Sequence, residues 1–564
     1  MRKRSTLLAV LVVLGFVAVV ARLADIMLAN HKWFLVKAVG QQTKKELIPV
    51  KRGIIVDRKG RELAINLETE SLYCDPAEVV APERVASTLS RAMDRNPDFI
   101  RAKLTAGNRF NWIERKLDAG QAQRIRELKL KGIGFAPEIK RFYPKGMLAS
   151  HLIGYVGIDN NGLEGIEQRY DKYLSAQGEK ISVRRDAKGN VLSEGMTREI
   201  KGNNVVLTID EGLQYIVEKN LDAAMEQWKA ASATAIMMDP YSGELLALAS
   251  RPHFDLNNPA GVTAAQRRNR SITDCYEPGS TFKIVVGVAA LEEGLVSPDT
   301  KFDCSAGFIE VGGRKIRDAH RHDVLSFKEV IQKSSNVGSI KIGLALGKDK
   351  VYQYVKKFGF GEKTGIDLTG EVSGWIRPPA RWSGMSIGSI SIGQEVAVTP
   401  LQVVRSYAVV ANGGFLVRPH VVAEIRSPSG HTLYQAAPEK KRIFSEKTIG
   451  TFRQILKTVT EEGGTATGAA VDGNQVAGKT GTAQLIDPGT RRYSKDKFVS
   501  SFVGFVPADN PKIVMIVVIH EPKGAHYGGV VAGPVFKKIA DESLSYMSVP
   551  RDDFEEKRLL LVSY

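Results

Sequence analysis

Ser280 and Lys283 have the types and spacing of a nucleophile and its base. The turn sequence Pro278-Gly279 precedes Ser280, and the apolar run 284–291 follows Lys283. This pattern predicts that both residues lie at the start of a buried helix, one turn apart on the same face. A serine hydroxyl needs a base to attack a carbonyl, and a lysine can be that base only if burial or nearby positive charge lowers its pKa. Taken alone, Ser280 could equally be a helix N-cap.

The same spacing occurs again at Ser494 and Lys497. We expect this second copy to lie in a polar loop with no following helix, where nothing would bury the lysine. Ser-x-x-Lys should arise by chance about once or twice in a chain of this composition. We therefore interpret the second copy as a chance occurrence.

Ser334-Ser335-Asn336 is the only Ser-x-Asn in the sequence. It follows a predicted helix at 327–332, at the point where that helix should break into a turn. A hydroxyl and an amide two residues apart in a tight turn can face one cleft, where the serine relays a proton and the amide holds a peptide group. An ordinary helix C-cap is the alternative that the triplet alone leaves open.

Lys479-Thr480-Gly481-Thr482 lies within a predicted strand. A glycine in a strand lets an extended ligand approach and pair as an added strand, and the lysine and threonine side chains can bind a carboxylate. A second Lys-Thr-Gly, at 363–365, lies in a glycine-rich loop with no strand on either side. We set that copy aside.

In this order, Ser-x-x-Lys, Ser-x-Asn and Lys-Thr-Gly resemble the motif set of the serine penicillin-recognising acyltransferases. Other segments resemble class B penicillin-binding proteins, among them Arg52-Gly53, Gly162-Leu163-Glu164-Gly165 and Ser391-Ile392-Gly393-Gln394. The sequence Tyr276-Glu277-Pro278-Gly279 most resembles the division-specific branch of that class. No glycosyltransferase domain is evident.

The resemblance implies a serine-type D-Ala-D-Ala transpeptidase that cross-links peptidoglycan during septal wall synthesis and is inhibited by β-lactams. Ser280 would attack the carbonyl between two D-alanines of a donor stem peptide, and Lys283 would take its proton. Ser334 and Lys479 would pass a proton to the departing D-alanine. Backbone N–H groups of Ser280 and Thr482 would form the oxyanion hole. The donor would be positioned by Asn336, Thr480, Gly481 and Thr482. An amine from a second stem peptide would resolve the acyl-enzyme, without a metal or cofactor.

Other functions fit parts of this pattern. Within the family, the alternative is an elongation-specific class B transpeptidase. A β-lactamase, a D,D-carboxypeptidase or a β-lactam sensor would share the motifs, although no residue is identifiable as the deacylating base of a β-lactamase. A non-catalytic wall-binding scaffold would have no need of Lys283. The partners that the resemblance implies are a polytopic lipid II polymerase of the shape, elongation and division family and other divisome membrane proteins.

The N-terminus predicts a membrane anchor. Residues 2–4 are basic, and residues 6–29 are apolar apart from Arg22 and Asp25, which is long enough to cross a bilayer. No convincing cleavage site follows, so an uncleaved helix with its N-terminus in the cytoplasm and the rest outside is favoured over a signal peptide. We predict a tip at 1–5, an anchor at 6–29, a non-catalytic pedestal at 30–202, a transpeptidase domain at 203–547 and a tail at 548–564.

The predicted fold is α/β (α+β). From residue 203 onward, a hairpin at 233–249, strands at 500–506 and 512–519 and a closing helix at 530–546 indicate an antiparallel sheet with helices. The upstream part predicts an elongated α+β module, with helical spacing over 80–130.

The net charge of +17 comes from dispersed residues. Since no basic stripe interleaved with aromatic residues is present, a nucleic-acid partner is not predicted. Affinity for an anionic membrane or wall polymer fits the charge, and a merely solvated surface fits it equally well. The three cysteines lack metal-ligand spacing, and whether Cys275 pairs with Cys304 is not decided by the sequence.

Overall fold

The computed structural model describes residues 2–47, 50–107, 109–176, 180–184, 201–487, 489–490 and 492–552. The chain divides into two compact units. The first comprises residues within 1–51, 68–140 and 175–202, and the second comprises residues within 52–67, 141–174 and 203–564. The predicted tail at 548–564 lies outside the described residues beyond Asp552.

The helices and strands are as follows, in chain order. The helices are α1 (Arg2–Ala24), α2 (His31–Gln42), α3 (Pro82–Met93), α4 (Pro97–Leu104), α5 (Ala119–Glu127), α6 (Ser150–Ile153), α7 (Gly165–Arg169), α8 (Asp171–Leu174), α9 (Glu211–Trp228), α10 (Ala264–Arg267), α11 (Arg270–Thr273), α12 (Lys283–Glu292), α13 (Phe327–Gln332), α14 (Asn336–Leu346), α15 (Lys348–Lys357), α16 (Ser386–Ser391), α17 (Pro400–Ala411), α18 (Glu446–Lys457), α19 (Gly528–Val531) and α20 (Gly533–Tyr546). The strands are β1 (Thr43–Leu47), β2 (Ile55–Val56), β3 (Glu62–Cys74), β4 (Asn111–Leu117), β5 (Ile133–Phe142), β6 (Lys180–Arg184), β7 (Asn204–Leu207), β8 (Ser232–Met238), β9 (Leu245–Arg251), β10 (Lys301–Asp303), β11 (Phe308–Val311), β12 (Arg314–Arg317), β13 (Val324–Ser326), β14 (Phe415–Val417), β15 (Val422–Arg426), β16 (Thr432–Gln435), β17 (Lys440–Arg442), β18 (Ala477–Ile486), β19 (Tyr493–Val506) and β20 (Ile513–His520).

One N-terminal helical segment is long and apolar enough to cross a membrane. It spans Lys3–Ala29, has a mean hydropathy of 2.7, and ends in a π-helical turn at Asp25–Ala29. At that end, Arg22 Nη1 lies 2.7 Å from Asp25 Oδ2, and Asn30 Nδ2 donates to Asp25 Oδ1 at 2.5 Å. The segment fits a single-pass anchor, because 27 residues extend about 40 Å as a helix.

The first unit has its own small core, where α3, α4 and α5 pack beside β3 and β4 around Leu72, Leu89 and Ile113. The prediction of helix throughout 80–130 is wrong at β4. The charged residues Glu114, Arg115 and Lys116 suggest a helix surface, but they belong to a strand that pairs with β3. Cross-strand pairing outweighs local preference here.

The second unit is built on a five-stranded sheet with the order β18-β19-β20-β8-β9. Every neighbouring pair is antiparallel, which confirms the predicted antiparallel sheet with helices. Strands β8, β9 and β20 are almost entirely buried, and α9, α17 and α20 contact the sheet. The β18 strand lies at the edge of this sheet, so one side of its backbone is left without a strand partner.

Upstream segments contribute a second sheet to this unit. In it, β2 pairs parallel with β7 and antiparallel with the start of β3, while β15 pairs with β7 and β16. Nearby, the buried Glu167 carboxylate accepts from Arg52 Nε at 2.6 Å and from Arg141 Nε at 2.7 Å. Arg52, from the Arg52-Gly53 segment that resembles class B proteins, therefore has a structural role in binding Glu167.

Candidate active site

Ser280 lies in a single 3-10 turn, Gly279–Phe282, that leads directly into α12. The predicted helix after Lys283 is confirmed, and almost all of it is buried, because its residues are apolar on every side. The turn is held from outside, since Gly279 N donates to Gly393 O at 3.1 Å and Tyr407 Oη donates to Thr281 O at 3.0 Å. The position of the Ser280 backbone is thereby fixed.

The Lys283 side chain is completely buried and joins the first motif to the second. Its Nζ lies 2.6 Å from Ser334 O, 3.2 Å from Ser334 Oγ and 2.9 Å from Asn336 Oδ1. Burial lowers the pKa of Lys283 to about 7, although the Asp318 carboxylate acts in the opposite direction. Close to neutral pH, a substantial fraction of this amine is therefore unprotonated and able to accept a proton.

The Ser334-Ser335-Asn336 turn connects α13 to α14. Ser334 has a φ of +59°, in the left-handed region, which costs a non-glycine residue about 1 kcal/mol or more. Ser335 is the N-cap of α14, and its Oγ accepts from Gly338 N at 3.0 Å. The predicted end of α13 at Gln332 is confirmed, and the strained turn presents Ser334 and Asn336 to the Lys283 amine.

Asp318, which motif analysis missed, holds that turn in place. Its Oδ1 accepts from Val337 N at 3.0 Å and from Asn336 N, and its Oδ2 accepts from Ser335 Oγ at 2.9 Å. A carboxylate at the N-terminus of α14 is also favoured by the helix dipole. No motif marks Asp318, because a capping carboxylate supplied by a separate loop has no fixed spacing in the sequence.

The third motif lies on the edge strand β18. Lys479 is almost completely buried, and both its burial and the positive charge of Lys283 lower its pKa. Its Nζ lies 3.3 Å from Thr480 Oγ1, and Thr482 Oγ1 accepts from Gly528 N at 3.0 Å. The Lys283 charge therefore acts on Lys479, whose amine contacts the hydroxyl of Thr480 on the same strand.

Gly279 and Gly481 allow the nucleophile turn to touch β18. A Cβ on Gly481 would lie 2.9 Å from Pro278 O and 2.4 Å from Ser501 Oγ, and a Cβ on Gly279 would lie 2.8 Å from Thr482 O. Side chains at these positions would push the two backbones apart. The contact brings the main chains of Ser280 and Thr482 together.

These elements surround one cleft of about 770 Å³. Five of the predicted site residues line it, namely Ser280, Ser334, Asn336, Thr480 and Thr482. Lys283 and Lys479 are buried, and Gly481 lies between Thr480 and Thr482 in β18. The far rim carries Phe498, on which the His526 ring stacks at 4.2 Å. The structure therefore brings the three motifs to a single cavity large enough for a peptide.

The two duplicate motifs lie elsewhere. The prediction of a loop around Ser494 is wrong, because Ser494 and Lys497 are part of β19. Thr364 of the second Lys-Thr-Gly lies in a loop, as predicted, where its N and Oγ1 each donate to Glu371 Oε1 at 2.6 Å. Neither duplicate lines the cleft.

The cysteines and metal-binding residue types add no further chemistry to the site. Cys74, Cys275 and Cys304 are all free thiols, so Cys275 and Cys304 are not paired. Cys304 is buried, and Ser335 Oγ donates to its Sγ at 3.5 Å. Within the described ranges, no cluster of three or more His, Cys, Asp or Glu residues could hold a metal ion.

Two family models of known proteins match this chain. Residues 233–541 match the family model of the penicillin binding protein transpeptidase domain, and residues 47–207 match that of the penicillin-binding protein dimerisation domain. The chain is similar to the probable peptidoglycan D,D-transpeptidase PenA of Neisseria meningitidis, with 34% identity over 95% of this chain and 91% of the relative. It is also similar to the peptidoglycan D,D-transpeptidase FtsI of Escherichia coli, with 33% identity over 97% and 92% of the two chains.

This chain is also similar to a solved structure of a penicillin binding protein. The crystal structure of penicillin binding protein 3 from Mycobacterium tuberculosis, complexed with aztreonam, superimposes with a TM-score of 0.70 at 29% identity. The match covers 90% of this chain and 98% of that chain.

Proposed function

Because the chain belongs to the class B penicillin-binding proteins, which are serine acyltransferases acting as peptidoglycan D,D-transpeptidases, we propose that Ser280 forms the acyl-enzyme of a septal member of the class. The observation that carries the assignment is the buried amine of Lys283, at the start of the helix that follows Ser280. This amine is hydrogen-bonded to Ser334 and Asn336. A surface lysine would stay protonated and could not serve as a base.

In the first step, Ser280 Oγ attacks the carbonyl carbon between two D-alanines, and its proton passes to the unprotonated Lys283 Nζ. The carbonyl oxygen becomes an oxyanion, which accepts from the backbone N–H groups of Ser280 and Thr482. Each such donor is worth roughly 3–4 kcal/mol in the transition state. The close contact of Gly279 with Thr482 supports this role.

Collapse of the intermediate breaks the peptide bond, and the leaving nitrogen must gain a proton. Ser334 Oγ, 3.2 Å from Lys283 Nζ, can donate its proton to that nitrogen and take one from Lys283. Lys479 completes the route, because its low pKa lets it exchange a proton instead of holding one. D-Alanine then leaves, and Ser280 retains the acyl group as an ester.

Donor binding uses the free edge of β18. An extended stem peptide can pair with this edge, while Asn336 holds a peptide group and the hydroxyls of Thr480 and Thr482 bind the terminal carboxylate. The amine of a second stem peptide then attacks the ester carbonyl carbon and loses its proton to Lys283. The bond from that carbon to Ser280 Oγ breaks as the cross-link forms, and Lys283 returns the proton to Ser280 Oγ. A β-lactam acylates Ser280 in the same way, but its leaving group stays attached.

The nucleophile assignment is tested by mass spectrometry on the full chain in detergent. After incubation with benzylpenicillin, we expect one penicillin per chain, located on the peptide that contains Ser280, and none in Ser280→Ala. A lasting adduct on another residue would overturn the assignment. Rapid hydrolysis of the drug without an adduct would instead favour a β-lactamase-like enzyme.

The septal role rests on the resemblance of Tyr276-Glu277-Pro278-Gly279 to the division-specific branch. We further propose that the N-terminus is cytoplasmic, that the catalytic domain is extracytoplasmic, and that the anchor and pedestal contact a lipid II polymerase and other divisome proteins. A fluorescent fusion should localise to the septum. Replacing residues 1–29 with an unrelated membrane helix should abolish that localisation and leave penicillin acylation intact. Localisation of the native chain along the side wall would favour the elongation alternative.

A further inference from the structure

The two motif lysines contribute little permanent charge to the cleft. Burial lowers the pKa of Lys283 to about 7 and that of Lys479 well below its ordinary value. Long-range attraction depends on groups that stay charged, and a lowered pKa makes both amines weaker carriers of positive charge than an exposed lysine. If the cleft attracts anionic substrate, another cation must supply most of the attraction.

Lys333, His320 and His322 line the cleft next to the Ser334–Asn336 turn. Lys333 directly precedes Ser334 in the chain. The loop that carries the two histidines is fixed to the same turn, because Asp318 caps α14 and Asn336 Nδ2 donates to Arg317 O at 2.9 Å. These three side chains therefore form one wall of the cleft, held by the same contacts that hold Ser334 and Asn336.

The charge of Lys333 acts on the Glu329 carboxylate one helical turn away, but Lys333 forms no ion pair among the described residues. No Asp or Glu among those residues lines the cleft. Glu329, one helical turn before Lys333, has its Oε2 occupied by Ser326 N and Ser326 Oγ, each at 2.7 Å. Asp318 is occupied by the N-terminus of α14. Lys333 is thus a half-buried cation facing a ligand cavity.

We propose that Lys333, with the imidazoles of His320 and His322 as further hydrogen-bond donors, binds a free carboxylate of the donor stem peptide upstream of its D-alanyl pair. The proposal rests on the function proposed above. Because the terminal carboxylate of the donor is assigned to the threonines of β18, the carboxylate near Lys333 must belong to the preceding part of the peptide. The preferred donor would then be an acidic stem whose side-chain carboxylate is not amidated.

Benzylpenicillin and carbenicillin provide a matched test, because they differ by one carboxylate on the acyl side chain, the part that corresponds to the upstream peptide. Acylation rate constants for both drugs would be measured on the full chain in a neutral detergent, by competition with a fluorescent penicillin. The readout is the carbenicillin-to-benzylpenicillin ratio of these constants. Lys333→Met should lower the ratio about two- to fivefold, the effect of losing one partly exposed ion pair. Lys333→Arg should restore it.

Lys328→Met is the matched control, since Lys328 is exposed on the same helix and does not line the cleft. It should leave the ratio unchanged. Added salt at 0.5 M should reduce the ratio for the native chain and have little effect on Lys333→Met. An unchanged ratio in Lys333→Met, or equal slowing with both drugs, would overturn the proposal. Absence of acylation in the native chain would instead contradict the proposed function itself.

Discussion

Two Ser-x-x-Lys tetrapeptides in the second unit have the same residue types in opposite surroundings. Ser280 and Lys283 open a buried helix, and the Lys283 side chain has no exposed surface. Ser494 and Lys497 lie on β19, where 47% of the Lys497 side chain is exposed and its Nζ lies 3.3 Å from Glu521 Oε2. Burial lowers the pKa of Lys283 to about 7.

The difference shows that a three-residue spacing has no chemical meaning until the secondary structure is known. At the start of a helix, residues three apart share a face. On a strand, they point to opposite faces, because successive side chains alternate. Ser494 Oγ accordingly accepts from Lys497 N at 3.2 Å and donates to Asp496 Oδ1, and it makes no bond to the Lys497 amine. Helical geometry and burial together distinguish the candidate nucleophile from its duplicate.

The largest expected contrast is between the two serines. Ser280→Ala should abolish covalent labelling by a fluorescent penicillin, because it removes the proposed nucleophile. Ser494→Ala should label at the native rate. Labelling is read on a gel, with thermal unfolding as the folding control. Equal loss of labelling in both variants would remove the distinction between the two tetrapeptides.

The two lysines should differ almost as strongly. Lys283→Met removes the proposed base, and a positioned general base is typically worth about 10²–10⁴-fold in rate. We expect the acylation rate constant to fall by that factor, whereas Lys497→Met should change it by less than about twofold. Stopped-flow or competition kinetics with benzylpenicillin gives both constants. A comparable fall in Lys497→Met would contradict the comparison.

Asp318→Asn tests whether Asp318 holds the turn that contacts Lys283. An amide oxygen replaces one of two carboxylate acceptors, and a hydrogen bond to a charged group contributes about 1.5–3 kcal/mol. We expect acylation to slow by roughly 10- to 100-fold. Removing the carboxylate should also move the pH midpoint of acylation lower, because Asp318 raises the pKa of Lys283. Unchanged acylation would show that the turn does not depend on this loop.

The pH profile provides a test without mutation. The reactive form of Lys283 is unprotonated, and its pKa is about 7, so acylation should be slow in acid and reach a plateau in mild alkali. Below pH 7 the rate should fall about tenfold for each pH unit. A lysine with the ordinary side-chain pKa would place the midpoint at about pH 10. The midpoint of second-order rate constants measured from pH 5 to 9 therefore distinguishes a buried base from an exposed one.

The smallest expected effect concerns the second Lys-Thr-Gly motif, at residues 363–365. Thr364→Val removes one of the short hydrogen bonds to the buried Glu371 carboxylate, which should lower the free energy of unfolding by about 1–3 kcal/mol. Penicillin acylation of the folded protein should keep its native rate, because residues 363–365 do not line the cleft. Thermal unfolding and labelling kinetics measure the two quantities separately. A slowed labelling rate would link this loop to the cleft.

Much of the catalytic fold could be predicted because its signals are local. Helix α9 is an example, because its apolar residues recur at helical spacing and Asp210 Oδ1 accepts from Gly212 N at 2.8 Å and from Leu213 N, which caps its first turn. The apolar run after Lys283 predicted α12 in the same way. In both cases, the residues that predict the helix lie within it or a few positions before it.

The parts that could not be predicted depend on distant partners. Strand β4 looks helical until it pairs with β3, and the polar start of β19 looks like a loop until it pairs with β18. The inclusion of residues 52–67 in the second unit depends on the pairing of Ile55 with Val205, 150 positions away in the sequence. Asp318 likewise caps α14 from a separate loop. A residue's own neighbours in sequence carry no information about such contacts.

The packing of Gly393 on Gly279 limits how this protein can evolve under antibiotic selection. A Cβ on Gly393 would lie 2.1 Å from Gly279 O, so the two turns touch backbone to backbone. A mutation that enlarged position 393 would displace the nucleophile turn and would harm wall synthesis along with drug binding. Changes compatible with growth are therefore expected at exposed positions outside the cleft such as Arg321, where a side chain can be exchanged without moving Ser280.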